Sequence, residues 1–247
     1  MRYSLMLLSV IFAAPLSTDA GTTTHSQQEK TAAVAVDEKG FISLFNGKNL
    51  EGWQGATKGY IVEKGNLVCT TQGRGFFCTK KQYGDFILRF EYKLGLGGNN
   101  GVGIRAPAKG TPAYTGMEIQ LLDDDAEEYK DLEPVQFTGA VYGAIACKRG
   151  HSKPAGSWNT MEIMAQGRAI RVTLNGVIIT EGDLGKVGAK AIHGGKLEGL
   201  ANAKGHIGFC GHAHRVEFRN VRILELHRNR STAPAMAARS SCGTNGS

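Results

Sequence analysis

Several absences narrow the reading before any residue is singled out. The chain has no Cys-x-x-Cys unit, so a zinc–thiolate centre has no scaffold. It has no His-Glu-x-x-His motif, the pattern that would mark a helical zinc site. Beyond the first 20 residues no apolar run is long enough to span a bilayer. The formal net charge of +7 is scattered rather than gathered on one face with interleaved aromatics, which argues against a nucleic-acid reader. At most this charge supports weak attraction to acidic surfaces or polysaccharides. Long helical periodicity and internal repeats are also missing, so neither a helix bundle nor a solenoid is expected.

What is present is organised around one central block. Residues 1–20 have the layout of an export signal: Arg2, an apolar stretch from Leu5 to Ala14, and small residues through Ala20. No lipid-attachment cysteine follows the apolar stretch. Residues 21–39 are small and polar, a flexible leader, and residues 228–247 form an Arg-, Ser-, Ala- and Gly-rich tail expected to be disordered. Residues 40–227 are left as a single folded domain by size. A secreted or periplasmic location follows as an expectation. It makes the five cysteines candidates for disulfides: Cys69 with Cys78, or Cys147 with Cys210, leaving Cys242 in the tail unpaired.

The central block reads as short strands. Phe86, Leu88, Phe90, Tyr92 and Leu94 alternate with Ile87, Arg89, Glu91 and Lys93. Met161 and Ile163 alternate with Thr160 and Glu162, and Ile170, Val172 and Leu174 run up to Asn175-Gly176, a dipeptide suited to a two-residue hairpin. Val216 and Phe218 alternate with Arg215, Glu217 and Arg219 before Val221, Ile223 and Leu224. Thirty-four glycines provide corners. The class is therefore all-β, a two-sheet β-sandwich or jelly roll. Asp124–Leu132 and Gly182–Gly199 are the segments able to hold a short helix or an ordered loop. Gly95 to Gly101 reads as a strand-to-strand turn.

The segment from Tyr114 to Leu122 carries the chemistry. Met117, Ile119 and Leu121 form one row, while Glu118, Gln120 and Leu122 form the other. A carboxylate and an amide two residues apart on one strand face stand roughly 7 Å from each other. Such a pair can hold or attack a sugar; a solvated face is the plainer alternative. Asp123-Asp124-Asp125 lacks the spacing and glycine of a calcium loop and reads as a solvated turn. Trp53 and Trp158 read as core aromatics, and His206 and His214 as turn residues.

Several segments resemble one family, the 3-keto-disaccharide hydrolase domain. They are Phe45-Asn46-Gly47-Lys48-Asn49-Leu50 with Gly52-Trp53, Asn100-Gly101-Val102 through Arg105, and Gly116-Met117-Glu118-Ile119-Gln120. Gly139-Ala140-Val141-Tyr142 and Gly205-His206-Ile207-Gly208-Phe209 through Asn220-Val221 continue the likeness. The resemblance implies a concanavalin-like sandwich, exported, acting on glycosides oxidised at carbon 3. Where the family usually reads Gln-Asp-His-Gly, this chain has Cys210-Gly211-His212-Ala213, keeping the histidine and losing the acid. A ketone at carbon 3 acidifies the hydrogen on carbon 2, so the chemistry needs a base, an acid and hydrogen-bond donors. Glu118 and His212 are the candidate catalytic residues. Arg105 and Lys148 are candidates to polarise the ketone, and Gln120 and Tyr142 to orient hydroxyls. Arg105 has a second reading, an ion pair with Asp123 or Asp125. No cofactor is implied with certainty, and a divalent metal bridging Glu118 and His212 stays open. The expected partner is a carbohydrate. A lectin-like binding module and a structural surface domain are the competing readings.

Overall fold

The computed structural model describes residues 40–187 and 196–226. The export signal, the leader, the tail with Cys242, and His227 at the expected domain edge lie outside the described residues. Two antiparallel sheets stack face to face. The strands are β1 (Ile42–Ser43), β2 (Trp53–Gly55), β3 (Tyr60–Glu63), β4 (Asn66–Cys69), β5 (Arg74–Thr79), β6 (Phe86–Leu94) and β7 (Asn99–Ala106). They continue with β8 (Met117–Leu122), β9 (Asn159–Gln166), β10 (Ala169–Leu174), β11 (Val177–Asp183), β12 (His206–His212) and β13 (Val216–Glu225). One sheet has eight strands in the order β11-β10-β9-β6-β13-β4-β3, with β1 also on β13. The other has five, β2-β5-β12-β7-β8. No helix among the described residues is long and apolar enough to cross a membrane.

The alternations produce this layering directly. On β6 the alternate residues Phe86, Leu88, Phe90, Tyr92 and Leu94 are all buried and the residues between them are half-exposed. The interior is shared by Phe90, Met161, Ile163 and Phe218 from one sheet and Phe77, Val102, Ile119 and Phe209 from the other. Asn175 and Gly176 both take positive φ, 50° and 86°, and join Leu174 to Val177 as the sequence predicts. The outer face of the large sheet is closed by cross-strand ion pairs: Arg89 with Glu162, Arg219 with Glu91, and Lys93 with Glu217. At the sheet's margin, β1 lies against the end of β13, so Ile42 is opposite Ile223.

Several expectations need correction. Trp53 is a core residue, stacked on Phe77 and donating its indole N–H to the Leu44 carbonyl at 2.9 Å. Trp158 is not; it lies half-buried on the outer face beneath Lys93 and Arg219. His214 lies in a turn, but His206 opens β12 with its buried ring against the Thr79 carbonyl. Neither expected disulfide exists, and Cys69, Cys78, Cys147 and Cys210 are free thiols. The reason is topological. Cys69 faces the interior from β4, whereas Cys78 sits on the outer face of the other sheet with Phe76, Ala106 and Cys210. The aspartate run is a loop brace rather than a solvated turn: Asp123 accepts from the Gly97 N–H and Asp124 from the Thr138 N–H.

Arg105 departs most from expectation. Its φ of 46° and the register break between His206 and Gly208 mark a bulge that ends the regular alternation of β7. The guanidinium turns inward, donating to the carbonyls of Gly84 and Gly167 and pairing with Asp85 at 3.1 Å. It is 1% exposed and therefore cannot polarise a substrate ketone, and its ion partner is neither Asp123 nor Asp125. Removing one member of a buried pair strands the other. Arg105→Ala should accordingly cost about 3–5 kcal/mol of stability, read as a lower midpoint in chemical denaturation.

Candidate active site

β8 is buried on both faces. Met117, Ile119 and Leu121 enter the sandwich, while Glu118, Gln120 and Leu122 point outward and are covered all the same. The cover comes from connections that sequence patterning read only as turns and loops. Helix α1 (Pro112–Thr115) places Ala113 and Tyr114 above the sheet. A short 3-10 turn at Glu127–Tyr129 contributes Tyr129, and one at Pro134–Gln136 contributes Gln136. The segment from Gly139 to Tyr142 then runs along the free edge of β8. It is held by Gly139 N–H to Gln120 O, Gln120 N–H to Ala140 O, and Tyr142 N–H to Glu118 O.

Between floor and roof lies a cleft of about 230 Å³. Glu118, Gln120, Tyr142 and His212, which the sequence singles out, all line it. Arg105 and Lys148 do not. The backbone of Lys148 is tied to the Ile179 carbonyl and the residue is exposed and not part of the lining, so no Lys or Arg lines this cavity among the described residues. Tyr114, Tyr129, Gln136 and Asn99 line it too and carry no signal in the sequence beyond being polar residues near β8.

The floor is made of glycine. Across the sheet, Glu118 is opposite Gly103, Gly103 opposite Gly208, and Gly208 opposite Cys78. The Glu118 side chain lies over the neighbouring position, Gly101, where a β-carbon would come 1.9 Å from Oε1. A β-carbon at Gly103 would strike the Phe76 ring and Pro112. The carboxylate thus rests on bare backbone, 5% exposed, and Oε1 has no hydrogen-bond partner. His212, at the end of β12, is half-exposed at the rim with Nε2 3.8 Å from that oxygen.

The neutral donors are fixed by their neighbours. Gln136 accepts from the Glu133 N–H through Oε1 and donates through Nε2 to the Tyr142 hydroxyl at 3.0 Å. That leaves the Tyr142 proton available to a ligand. Burial pushes the Tyr142 phenol up, with Gln136 opposing, so it remains a donor near neutrality. Gln120 donates to Asn99 Oδ1 at 3.2 Å, leaving its own carbonyl oxygen to accept. No group of three or more His, Cys, Asp or Glu able to hold a metal is assembled among the described residues. Glu118 and His212 offer two donors, below the three protein ligands of a catalytic zinc site. The arrangement can bind a neutral polyhydroxylated ring and move a proton at its edge.

Comparison with known proteins gives the family and the fold. The chain is 26% identical over 234 residues to a 3-keto-disaccharide hydrolase of Bacteroides thetaiotaomicron, covering 77% of this chain and 80% of that protein. A crystal structure of a candidate glycosyl hydrolase from Parabacteroides distasonis superposes with a TM-score of 0.65 at 30% identity, covering 75% of this chain and 99% of the other. A second from the same organism has the same score and identity, covering 76% and 95%. A family profile described as the 3-keto-alpha-glucoside-1,2-lyase-like domain matches residues 40–224. With a β-sandwich fold, a roofed polar cleft and a match across nearly all described residues, this chain belongs to the carbohydrate-active 3-keto-alpha-glucoside-1,2-lyase-like family.

Proposed function

We propose that the protein cleaves glycosides whose sugar is oxidised at carbon 3, with Glu118 as the base and His212 as the proton donor to the leaving group. The carrying observation is the Glu118 carboxylate, buried with Oε1 lacking a hydrogen-bond partner, in the lining of a sugar-sized cleft beside an imidazole. Burying a carboxylate unpaired is costly, and a binding site can make use of that cost. The ketone makes the hydrogen on carbon 2 acidic. Glu118 takes that proton, and the electrons of the C–H bond form an enolate. The enolate collapses to a carbon 1–carbon 2 double bond as the bond from carbon 1 to the aglycone oxygen breaks. His212, carrying a proton, donates it to the departing oxygen. Water then adds to carbon 1 and a proton returns to carbon 2, giving the free 3-keto sugar. Tyr142 supplies a hydrogen bond to the ketone or its enolate oxygen, and Gln120 accepts from a ring hydroxyl.

The rim position of His212 and the floor position of Glu118 suit these two roles. The base is shielded from water, while the leaving group departs toward solvent. A lectin-like module would require only the aromatic lining. The buried carboxylate gives the catalytic reading the advantage. We also propose that residues 1–20 direct export; mature protein isolated outside the cytoplasm should begin after this segment, checked by mass spectrometry.

Incubation with a 3-keto-glucoside and its unoxidised parent tests the chemistry. Only the oxidised compound should be split, and Glu118→Gln should lower kcat by about 10²-fold or more. Equal rates on the two compounds would reject the mechanism. Gly101→Ala gives a sharper check, because Gly101 does not take positive φ and its replacement leaves the backbone unstrained. The added methyl occupies the place of the carboxylate and forces Glu118 to move, so activity should fall by about 10²-fold, with a stability loss of about 1–3 kcal/mol read separately from the unfolding midpoint.

A further inference from the structure

On the floor of the cleft, β12 brings a second polar group to the Glu118 carboxylate. Phe209 pairs with Val102, so the next position on β12, Cys210, comes beside Gly101, the glycine over which the carboxylate lies. Cys210 faces outward with Phe76, its cross-strand partner on β5, and is buried. We propose that Cys210 is a positioning residue: its S–H points at the Glu118 carboxylate and holds it over Gly101 in the orientation needed to take a proton from substrate. This rests on Glu118 being the base, as proposed above.

Three observations support the assignment. The thiol is neutral, since burial first and the Glu118 charge second push it well above the usual thiol range, so it offers a proton rather than a competing anion. It is too enclosed to serve as a nucleophile toward a sugar in the cleft. Finally, Oε1 of Glu118 has no hydrogen-bond partner, thiols included, so the Cys210 S–H acts on the other carboxylate oxygen and leaves Oε1 uncommitted. The other titratable groups around this cleft are His212 on β12, Tyr142 from the edge segment, Tyr114 on α1 and Tyr129 from the 3-10 turn. Each belongs to the wall or rim; on the floor side, Cys78 of β5 packs in the same cluster as Cys210.

Infrared spectroscopy of the thiol S–H stretch tests the contact without substrate. The band belonging to Cys210 is isolated by subtracting the spectrum of Cys210→Ala. In Glu118→Ala, where the acceptor is gone, that band should move to higher frequency. A band at the same frequency in wild type and Glu118→Ala overturns the proposal, whatever the enzyme does to sugars. With substrate, Cys210→Ala should lower kcat by about tenfold with little change in KM, the size of one hydrogen bond to a charged group. A hydrogen bond to the ionised form favours ionisation, so its loss should move the acidic limb of the kcat profile to higher pH. Cys210→Ser, which keeps a donor, should restore that limb. Superimposable limbs for wild type and Cys210→Ala would reject the role. Inactivity of the wild type on 3-keto-glucosides would reject Glu118 as base yet leave the infrared result standing.

Discussion

The cleft depends on a missing atom. Because Gly101 has no β-carbon, the side chain of Glu118 can lie down on the sheet instead of standing up from it. A carboxylate standing upright would fill the space between floor and roof. Lying over bare backbone, it leaves the cavity open above while remaining part of its lining. Gly103 on the same strand and Gly208 on β12 extend the bare backbone across two strands. Most strand glycines weaken a sheet by giving it nothing to pack. Here that vacancy is filled by a functional group from the adjacent strand.

The two sheets divide the work. The eight-stranded sheet has its outer face closed by ion pairs in register, with Arg89, Glu91 and Lys93 each opposite a residue of opposite charge. The five-stranded sheet is thinner in side chains on its outer face and carries the roof. Arg105 couples the two: the bulge that removes it from the cleft makes it a tie across to Asp85, Gly84 and Gly167 at the start of β6 and the β9–β10 turn. A residue that looks like a substrate ligand in the sequence is a cross-brace in the structure.

Much of the architecture was legible from periodicity. The alternation on β6, β9 and β10, and the Asn175-Gly176 turn, required only the two-residue period of a strand and the positive φ of a primed turn. The Glu118 and Gln120 pair was legible for the same reason, as was its separation from Met117, Ile119 and Leu121. Arg105 was not, because a left-handed φ at an ordinary residue leaves no trace in composition. Trp158 was misread because an aromatic stacked under two cations looks like a core residue to hydropathy alone. The roof was hidden as well. Tyr114, Tyr129 and Gln136 lie on turns whose direction is set by tertiary contacts, so nothing local announces that they meet above β8. The cysteines mislead for a similar reason: closeness in sequence put Cys69 and Cys78 on consecutive strands, and those strands belong to different layers.

The pairing of β1 with the end of β13 has its own implication. With Ile42 and Ile223 side by side, the described domain is nearly a closed ring of chain. A short peptide bridging these two points, with a new opening cut into an exposed connection elsewhere, would produce a circular permutant that keeps both sheets intact. By the same logic the whole sandwich can be inserted into a surface loop of a host protein, entering and leaving through one narrow gate.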